Sequence, residues 1–428
     1  MTGNGNTTAP IASTLRAIEV GTPLISRPKR VLLVEPAYRA KYPPLGLMKI
    51  STYHQLRGDD VAFYKGTSAV VRDQDWDAIY ITTMFTFQWN MTINTIKFYQ
   101  RGKRRHKNIM VGGILASLLQ ADVAEETGIL PHFGLWDEVD RLPPDYSLTN
   151  GVYDYHTNNA SFAYMTKGCP NRCPYCAVHE LEPSFVSFIP LGPQLDSNKR
   201  DLILLDNNVL ASPEFPRIVS EIKRQGFQKG ARFGKAMRRV DFNQGVDARF
   251  LDEEKMELLS QLPITPLRIA FDSIRYENLY EEKVRLATRY GIRHLSNYIL
   301  FNFDDTPDDF YRRLQVNIEL NEELGLSIFS FPMKYVPLDA KDRKHIGPNW
   351  TQAQLRGIQC ILHATHGVVG PRRPFFEKAF GRSVGEFKHI VEQSEDAIFH
   401  RERMRPFIGD SVESSGVQEP QYLAESPL

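Results

Sequence analysis

The feature that most limits how this chain can fold is a long alternation of short apolar runs and amphipathic segments. Between residues 158 and 337 the apolar runs are typical of buried strands, and the segments between them have helical spacing. The predicted strands lie at 162–166, 202–205, 240–243, 267–271, 295–300 and 327–331. Six strand-to-helix steps in one direction form a parallel sheet that closes into a full or partial βα barrel. We therefore predict a partial (β/α)6 barrel over 158–337.

A second alternation of strands and helices precedes the barrel, over residues 28–150. The predicted strands lie at 30–35, 61–64, 77–82 and 109–111, and the predicted helices at 45–57, 92–101 and 121–126. This order predicts a doubly wound, Rossmann-like parallel sheet. Gly112 and Gly113 end its last strand, but the chain has neither G-x-G-x-x-G nor a Walker pattern there. A tight turn is therefore the favoured interpretation of this pair over a phosphate-binding loop.

The remaining segments have other compositions. Residues 1–27 are rich in Thr, Gly and Ala, and residues 410–428 are rich in Ser, Glu and Pro, so both are predicted to be disordered tails. Residues 338–409 are predicted to form a small, mainly helical C-terminal region, with helices at 351–363, 375–380 and 384–393.

Composition and charge exclude several classes of protein. The formal net charge of +1 over 428 residues gives no overall attraction to nucleic acid or to an anionic membrane. We find no apolar run of about 18 residues and no secretory signal, so we expect no membrane span and a cytoplasmic location. Four cysteines, three of them clustered, do not form the pattern of a disulfide framework.

The clustered cysteines are Cys169, Cys173 and Cys176, with the spacing C-x3-C-x2-C. Thiolates select zinc, Cu(I) or iron–sulfur clusters. Structural zinc normally takes four ligands, and here His179 would have to be the fourth, since Cys360 lies far along the chain in an apolar pattern. Three thiolates on one loop can instead hold three corners of a 4Fe–4S cube and leave the fourth iron open. The loop follows the first predicted barrel strand, where such barrels place reactive groups.

The cysteine spacing, its place after the first barrel strand, and Tyr175 just before the third cysteine resemble the radical S-adenosylmethionine (SAM) superfamily. The resemblance covers about residues 162–337. It implies a 4Fe–4S cluster on the three cysteines, with SAM chelating the open iron. It further implies reductive cleavage of SAM to methionine and a 5′-deoxyadenosyl radical, which acts on an unidentified substrate. A reductant such as flavodoxin or ferredoxin would supply the electron.

The resemblance also implies SAM contacts at the ends of the barrel strands. The triplet after the second strand stands where the family often has Gly-Gly-Glu for the SAM amino group. The pair after the fourth strand suits the ribose hydroxyls, and the sixth strand lies beside adenine. Residues after the third strand would contact the SAM carboxylate or the substrate. Each residue has the alternative of an ordinary turn or cap. Besides Tyr175, the predicted SAM-binding residues are Asp206, Asn207, Asn208, Asn243, Asp272, Ser273, Phe331 and Met333; Asp247 and Arg249 are further candidates.

A Rossmann-like domain before such a barrel resembles the cobalamin-binding class of the superfamily. Proteins of that class often carry D-x-H-x-x-G, whose His binds cobalt. This chain lacks that motif: His54 lies in a helical pattern and His106 in a basic run. The resemblance thus implies a cobalamin-binding-like fold and leaves cobalamin itself open. Five aromatic residues are candidates for lining a substrate entrance, with domain packing as the alternative: Tyr38, Tyr42, Phe85, Phe87 and Trp89.

Three functions follow, in order of preference. The first is a radical SAM enzyme, and the second is a cobalamin-dependent radical SAM methyltransferase. The third is a non-catalytic, zinc-dependent nucleic-acid-binding protein. Basic runs at 101–107 and 232–239 keep nucleic acid open as a partner, although the near-neutral charge favours solvated surface for both.

Overall fold

A computed structural model of the protein describes residues 27–40, 42–102, 108–152, 155 and 159–400. The predicted tails lie outside these ranges, except for Arg27, and so does most of the basic run at 101–107. Residues 153–154 and 156–158, at the predicted boundary between the two domains, also lie outside them. Within the described ranges no helix is long and apolar enough to span a membrane.

The N-terminal sheet has four parallel strands in the order β2-β1-β3-β4. Its strands are β1 Arg30–Glu35, β2 Asp60–Lys65, β3 Ala78–Thr83 and β4 Ile109–Gly113. Strand β1 is central, and Val31, Leu32, Leu33 and Val34 are each fully buried. One face of the sheet packs against the helix Leu45–Gln55 and the other against the helices Trp89–Gln100 and Gln120–Thr127. Burial on both faces explains why the sequence of β1 is continuously apolar.

The helices of this part follow the predicted order, with shifted ends. They are α1 Leu45–Gln55, α2 Ala69–Arg72, α3 Trp89–Gln100, α4 Ile114–Leu118, α5 Gln120–Thr127 and α6 Asp137–Asp140. Helix α3 begins three residues before the predicted start. A short 3-10 turn at Thr86–Gln88 runs directly into it, so no cap residue marks the beginning in the sequence.

The second part contains the six predicted parallel strands, in two hydrogen-bonded groups. The groups are β5-β6-β9 and β10-β11-β12, and isolated parallel bridges such as Val246–Ile269 join them. The strands, with a short hairpin included, are β5 Ala160–Ala163, β6 Asp201–Leu204, β7 Arg232–Phe233, β8 Ala236–Met237, β9 Val240–Phe242, β10 Leu267–Arg268, β11 His294–Phe301 and β12 Ser327–Lys334. The hairpin β7–β8 occupies the basic run at 232–239, for which no strand was predicted.

Two barrel strands differ from the prediction. The first strand lies two to three residues earlier, because Met165 and Thr166 bond to the Asp206 side chain rather than to a strand. The fourth strand has two ladder residues, after which the Phe271 N–H reaches the Tyr298 carbonyl and Ile269 pairs with Val246. Both strands therefore leave the ladder early, next to the predicted SAM-binding positions.

Helices cover the outside of the barrel, and a further helical layer follows. The barrel helices are α7 Val178–Leu181, α8 Phe215–Arg224, α9 Glu253–Ser260, α10 Glu277–Arg289 and α11 Pro307–Leu324. Helix α11 begins with the predicted Thr306 cap, which forms a reciprocal capping box with Asp309. The C-terminal helices are α12 Gln352–Ala364, α13 Arg373–Phe380, α14 Val384–Glu392 and α15 Glu395–Phe399. They pack on α11 and the outer side of β11 through a second apolar core.

Candidate active site

The three clustered cysteines lie on the loop that follows β5, at the carboxyl end of the barrel. All three are partly exposed, and none forms a disulfide. The loop turns at Gly168, whose φ is +73° and whose added Cβ would lie 2.6 Å from the Ser184 carbonyl oxygen. Its other end is closed by a hydrogen bond of 3.0 Å from the Cys176 N–H to the Cys173 carbonyl. Backbone packing thus gives the cysteine loop a defined course.

The surroundings of the Cys176 thiol oppose its ionisation, burial more than charge. Burial raises the pKa of the Cys176 thiol, the neighbouring Cys173 and Cys169 raise it further, and the Val178 N–H partly offsets these effects. Three adjacent thiolates need positive charge nearby, which a bound metal centre supplies. The described residues contain no group of three His, Cys, Asp or Glu that could hold a single metal ion.

A carboxylate, Asp247, connects the cysteine loop to the loop after β9. Its Oδ2 accepts from Asn171 Nδ2 at 2.8 Å, from Asn208 Nδ2 at 3.3 Å and from Arg249 Nη2 at 2.7 Å. Asn208 Nδ2 also lies 3.5 Å from Cys169 Sγ, and Asp247, followed by Cys173, raises the pKa of the neighbouring Arg249 guanidinium. Burial raises the pKa of Asp247, but the bonds from Arg249 outweigh it and hold the pKa below its ordinary value.

The sequence analysis named Asp247 and Arg249 as candidates and missed Asn171. The signal for Asn171 is weak, because an Asn between two cysteines is equally typical of a turn. Only its approach to Asp247, 76 residues away, shows that it fastens the loop.

Asp206 is buried beneath the start of the cysteine loop. Its Oδ1 accepts from the Met165 N–H at 2.8 Å and from the Thr166 hydroxyl at 2.7 Å. Its Oδ2 is buried without a hydrogen-bond partner among the described residues, and so is Oδ1 of Asn208. Desolvation raises the pKa of Asp206 to about 6 despite the bonds from Thr166 and Met165. These two oxygens are unused acceptors in the loop after β6, which contacts the cysteine loop and the segment before it.

Asn207 turns away from its two neighbours. Its Nδ2 donates to Glu182 Oε2 at 2.9 Å, and the same oxygen accepts from the Gly168 N–H at 2.6 Å. Lys167 lies beside this carboxylate, 3.5 Å from Glu182 Oε1 and 3.8 Å from Asp140 Oδ1. Asp140 belongs to α6, so this charged group links the N-terminal part to the cysteine loop.

Tyr175 and Asp272 meet on the other side of the cysteines. The Tyr175 hydroxyl donates to Asp272 Oδ2 at 3.2 Å, and its ring packs edge-on against Phe303. Burial raises the pKa of Asp272. Arg313, fully buried, donates to the Asp272 carbonyl at 3.0 Å and to the Leu300 carbonyl at 2.7 Å. It thereby ties the ends of β10 and β11 together.

Ser273, next to Asp272, has a local partner instead. Its Oγ accepts from the Arg275 N–H at 3.4 Å and caps a short 3-10 turn. This contact is the ordinary turn role, and the structure places no cysteine contact on this side chain.

The other predicted SAM-side residues lie deeper, around a polar group inside the barrel. Arg268, 3% exposed, forms a two-pronged pair with Asp241, with both N–O distances 2.8 Å. The Tyr298 hydroxyl donates to the Asn243 carbonyl at 2.8 Å, and Asn243 Nδ2 donates to the Tyr42 hydroxyl at 2.9 Å. Asn243 thus contacts the N-terminal part.

Phe331 and Met333 belong to the same inner region. The Phe331 ring is fully buried, 6.0 Å from that of Tyr298, and Met333 follows on the same face of β12. The sequence analysis missed the pair Arg268–Asp241. The sequence feature that could have revealed this pair is one charged residue inside each of two predicted strands, Asp241 in 240–243 and Arg268 in 267–271.

The predicted entrance aromatics divide into two groups. Tyr38 is 1% exposed and bonds to Thr92 within the N-terminal core, so it has the packing role. Phe85 and Phe87 stack on each other at the carboxyl end of β3, and Trp89 follows them, all three half-buried. Lys341 lies over the Trp89 ring and Arg343 over the Phe87 ring, so a segment of the C-terminal region covers this edge.

No protein-family model matches this sequence, and no curated protein matches it either. Among solved structures, it is similar to the radical SAM methyltransferase TsrM from Kitasatospora setae, with cobalamin and a 4Fe–4S cluster bound. The TM-score is 0.52 at 14% sequence identity, over 73% of this chain and 77% of that one. A second TsrM structure, with tryptophan substrate and the SAM analogue aza-SAM, has a TM-score of 0.51 at 14% identity, over 72% and 73%.

This chain therefore has a fold similar to that of the TsrM structures. The predicted fold class, a Rossmann-like sheet followed by a partial βα barrel, is therefore confirmed. At this level of identity the likeness establishes the fold, and function has to be argued from the site.

Proposed function

We propose that this protein is a radical SAM enzyme, with a 4Fe–4S cluster on Cys169, Cys173 and Cys176. One observation carries the proposal. Three free thiols and two unused, buried acceptor oxygens, Asp206 Oδ2 and Asn208 Oδ1, converge at the carboxyl ends of neighbouring barrel strands. A buried acceptor without a donor costs about 1–3 kcal/mol, so a ligand that supplies N–H groups here would be stabilised.

The donor set fits an iron–sulfur cluster that lacks one protein ligand. The three thiols are soft ligands on one loop, and the fourth cysteine, Cys360, lies in α12 within the separate C-terminal core. When bound, such a cluster supplies the electron that cleaves SAM to methionine and a 5′-deoxyadenosyl radical.

The unused acceptors fit the ammonium group of SAM. Asp206 and Asn208 offer one carboxylate and one amide oxygen, which accept N–H donors. Asp206 is held in place by its bonds to Met165 and Thr166, so its free oxygen has a fixed direction. Ionisation of Asp206 would be favoured by a bound cation, because an opposite charge lowers the pKa that burial has raised.

Asp272 and Tyr175 are proposed to bind the ribose side of SAM. The Asp272 carboxylate lies at the end of β10 and already accepts one hydroxyl, from Tyr175. Arg313 fixes the backbone of Asp272, and this allows the carboxylate to act as a rigid acceptor. For Asn207 and Ser273, whose side chains have other partners, we propose supporting roles for the loop and the turn.

Cobalamin-dependent methyl transfer is the second candidate, and the fold shared with the cobalamin-bound TsrM structure favours it. The residues fit a cobalt ligand poorly. His54, in the N-terminal part, uses Nδ1 on Asp59 at 2.7 Å and Nε2 on the Tyr80 hydroxyl at 3.0 Å. Both ring nitrogens are thus engaged within the core, and we assign no step to cobalamin.

Anaerobic reconstitution tests the first function. The wild-type protein is expected to bind about four irons, absorb broadly in the visible range and release 5′-deoxyadenosine from SAM after reduction. Cys173→Ala should lose all three properties, because it removes a cluster ligand. Cys360→Ala is the matched control, and it should keep the cluster.

Three measurements can contradict this proposal. A colourless protein with one zinc per chain would favour the zinc-binding alternative. An intact cluster that releases no 5′-deoxyadenosine would exclude the proposed SAM chemistry. Corrinoid that copurifies after growth with cobalamin would move the assignment to the second candidate.

A further inference from the structure

Two side chains from outside the cysteine loop stand next to its sulfurs. Asn208 Nδ2 lies 3.5 Å from Cys169 Sγ. The Arg249 guanidinium neighbours Cys173, and its pKa is raised first by Asp247 and further by Cys173. The two side chains come from different strand ends, and Arg249 carries a full positive charge.

Both side-chain donors are held by the same carboxylate. Arg249 gives Asp247 two parallel bonds, Nε to Oδ1 at 2.8 Å and Nη2 to Oδ2 at 2.7 Å. Asn208 reaches the same Oδ2 at 3.3 Å. A two-pronged pair fixes the plane of a guanidinium, which a single contact does not do. Asp247 therefore sets the direction from which Arg249 approaches Cys173.

Donors to cluster sulfurs have a known physical effect. Each one-electron reduction adds negative charge that spreads onto the thiolates, so hydrogen bonds and nearby cations stabilise the reduced form. Net charge, hydrogen bonds to the sulfurs and solvent exposure together set the reduction potential of a cluster. Partly exposed cysteines with a cationic donor on one of them combine two of these factors.

We propose that Arg249 and Asn208 set the reduction potential of the cluster, and that Asp247 is the positioning residue that holds both donors against Cys173 and Cys169. The inference rests on the proposed function, since it concerns a cluster on those cysteines. The reaction concerned is the uptake of one electron from a one-electron reductant such as dithionite or a flavodoxin. With the donors in place, that electron is accepted at a less negative potential.

A purely structural clamp is the competing explanation. Asp247 also accepts from Asn171, between the first two cysteines, and could serve only to hold the loop. The two roles differ in what Arg249 does. A clamp predicts loss of cluster content when it is weakened, whereas a tuning role predicts a full cluster with a shifted potential.

The test is a potentiometric titration, followed by electron paramagnetic resonance, of reconstituted full-length protein. Arg249→Met removes both the positive charge and the N–H donors. Arg249→Lys keeps the charge but cannot form the two-pronged pair with Asp247. Asp247→Asn weakens the hydrogen bonds that position Arg249 and Asn208. We expect the midpoint to become more negative in Arg249→Met, less so in Arg249→Lys, and in the same direction in Asp247→Asn. Arg239→Met is the charge-matched control, because exposed Arg239 lies at the opposite, amino end of β9. Its midpoint should equal that of the wild type.

The outcomes separate this inference from the proposed function. A wild-type protein that forms no four-iron cluster overturns both. A full iron content with an unchanged midpoint in Arg249→Met overturns the inference alone, as does an equal shift in Arg239→Met. If Arg249→Met loses iron, Arg249→Gln replaces it, because glutamine keeps an N–H donor without the charge. If Arg249→Gln then has full iron and the midpoint potential of the wild type, the charge of Arg249 does not set that potential.

Discussion

The two parallel sheets of this protein bury different kinds of side chain. In the N-terminal sheet, β1 is apolar and fully buried on both faces over residues 31–34. In the barrel, β9 alternates, with Val240 and Phe242 in the outer core and Asp241 inside, facing Arg268. Both sheets arise from the same strand–helix pattern, but they bury charge at different places. In β1 the buried charge is Glu35, which ends the strand beside Lys65 of β2, whereas the barrel buries the pair Asp241–Arg268 within its strands.

This difference bears on whether a buried charge serves stability or function. A buried ion pair gains little stability over an apolar pair of the same volume, so the polar interior of the barrel is better explained by function than by stability. The carboxyl edge of the N-terminal sheet is lined by Phe85, Phe87 and Trp89 and covered by Lys341 and Arg343. We therefore expect variants of the barrel interior to change the candidate active site. Variants of the N-terminal edge should instead change how the C-terminal region packs on that edge.

The largest expected effect is on the buried pair inside the barrel. Arg268→Met leaves Asp241 buried without its partner and should cost about 3–5 kcal/mol of unfolding free energy, measured by denaturant titration. The double variant Arg268→Met with Asp241→Leu removes both charges and should recover much of that loss. If the double variant is no more stable than Arg268→Met, the unpaired charge of Asp241 is not the cause of the lost unfolding free energy.

The next effect is a dependence of stability on pH through Asp206. Its pKa is raised from 3.8 to about 6, so the unfolded chain releases this proton first as pH rises. The folded state is therefore favoured at low pH, and about 3 kcal/mol is lost as pH rises from about 4 to about 6. In ligand-free protein, Asp206→Asn should remove this slope relative to the wild type. An unchanged difference between the two proteins across that range would contradict the burial argument.

At the N-terminal edge, Gly113→Ala should cost about 2–3 kcal/mol. Gly113 has φ +109°, and an added Cβ would lie 2.2 Å from the Thr83 carbonyl oxygen, so both strain and overlap oppose the change. Gly112→Ala is the control, since its Cβ would meet nothing nearer than 3.8 Å. Thermal unfolding of both variants checks this, and equal losses would mean that the position of Gly113 is not special.

The smallest effect is expected where the C-terminal region covers the N-terminal edge. Lys341 lies over the Trp89 ring and forms an ion pair with Asp122. The pair is surface-exposed, so Lys341→Ala should change stability by at most about 1 kcal/mol and should raise the solvent exposure of Trp89, read by fluorescence quenching. Lys344→Ala, at an exposed neighbouring position, should leave quenching unchanged.

The sequence by itself determined the order of elements and brought together the three cysteines of the proposed cluster site. Continuous apolar runs and helical spacing depend on local geometry, so β1, β11, β12 and α11 were placed to within a few residues. The cysteine motif is also local, because its three thiols lie within eight residues. Strand ends such as β5 and β10 were placed less well, because partners distant in the sequence interrupt their ladders. These partners are the Asp206 side chain for β5 and the Val246 backbone for β10.

Only the tertiary structure decided which polar residues act together. Asp206 and Asn208 each keep one buried oxygen unused, while Asn207 between them turns to Glu182. Asp247 gathers Asn171, Asn208 and Arg249 from three loops. The sequence shows that such residues follow strands, as turn residues commonly do. Their directions and partners depend on how the parallel strands pack side by side, because that packing brings separate strand ends to one edge.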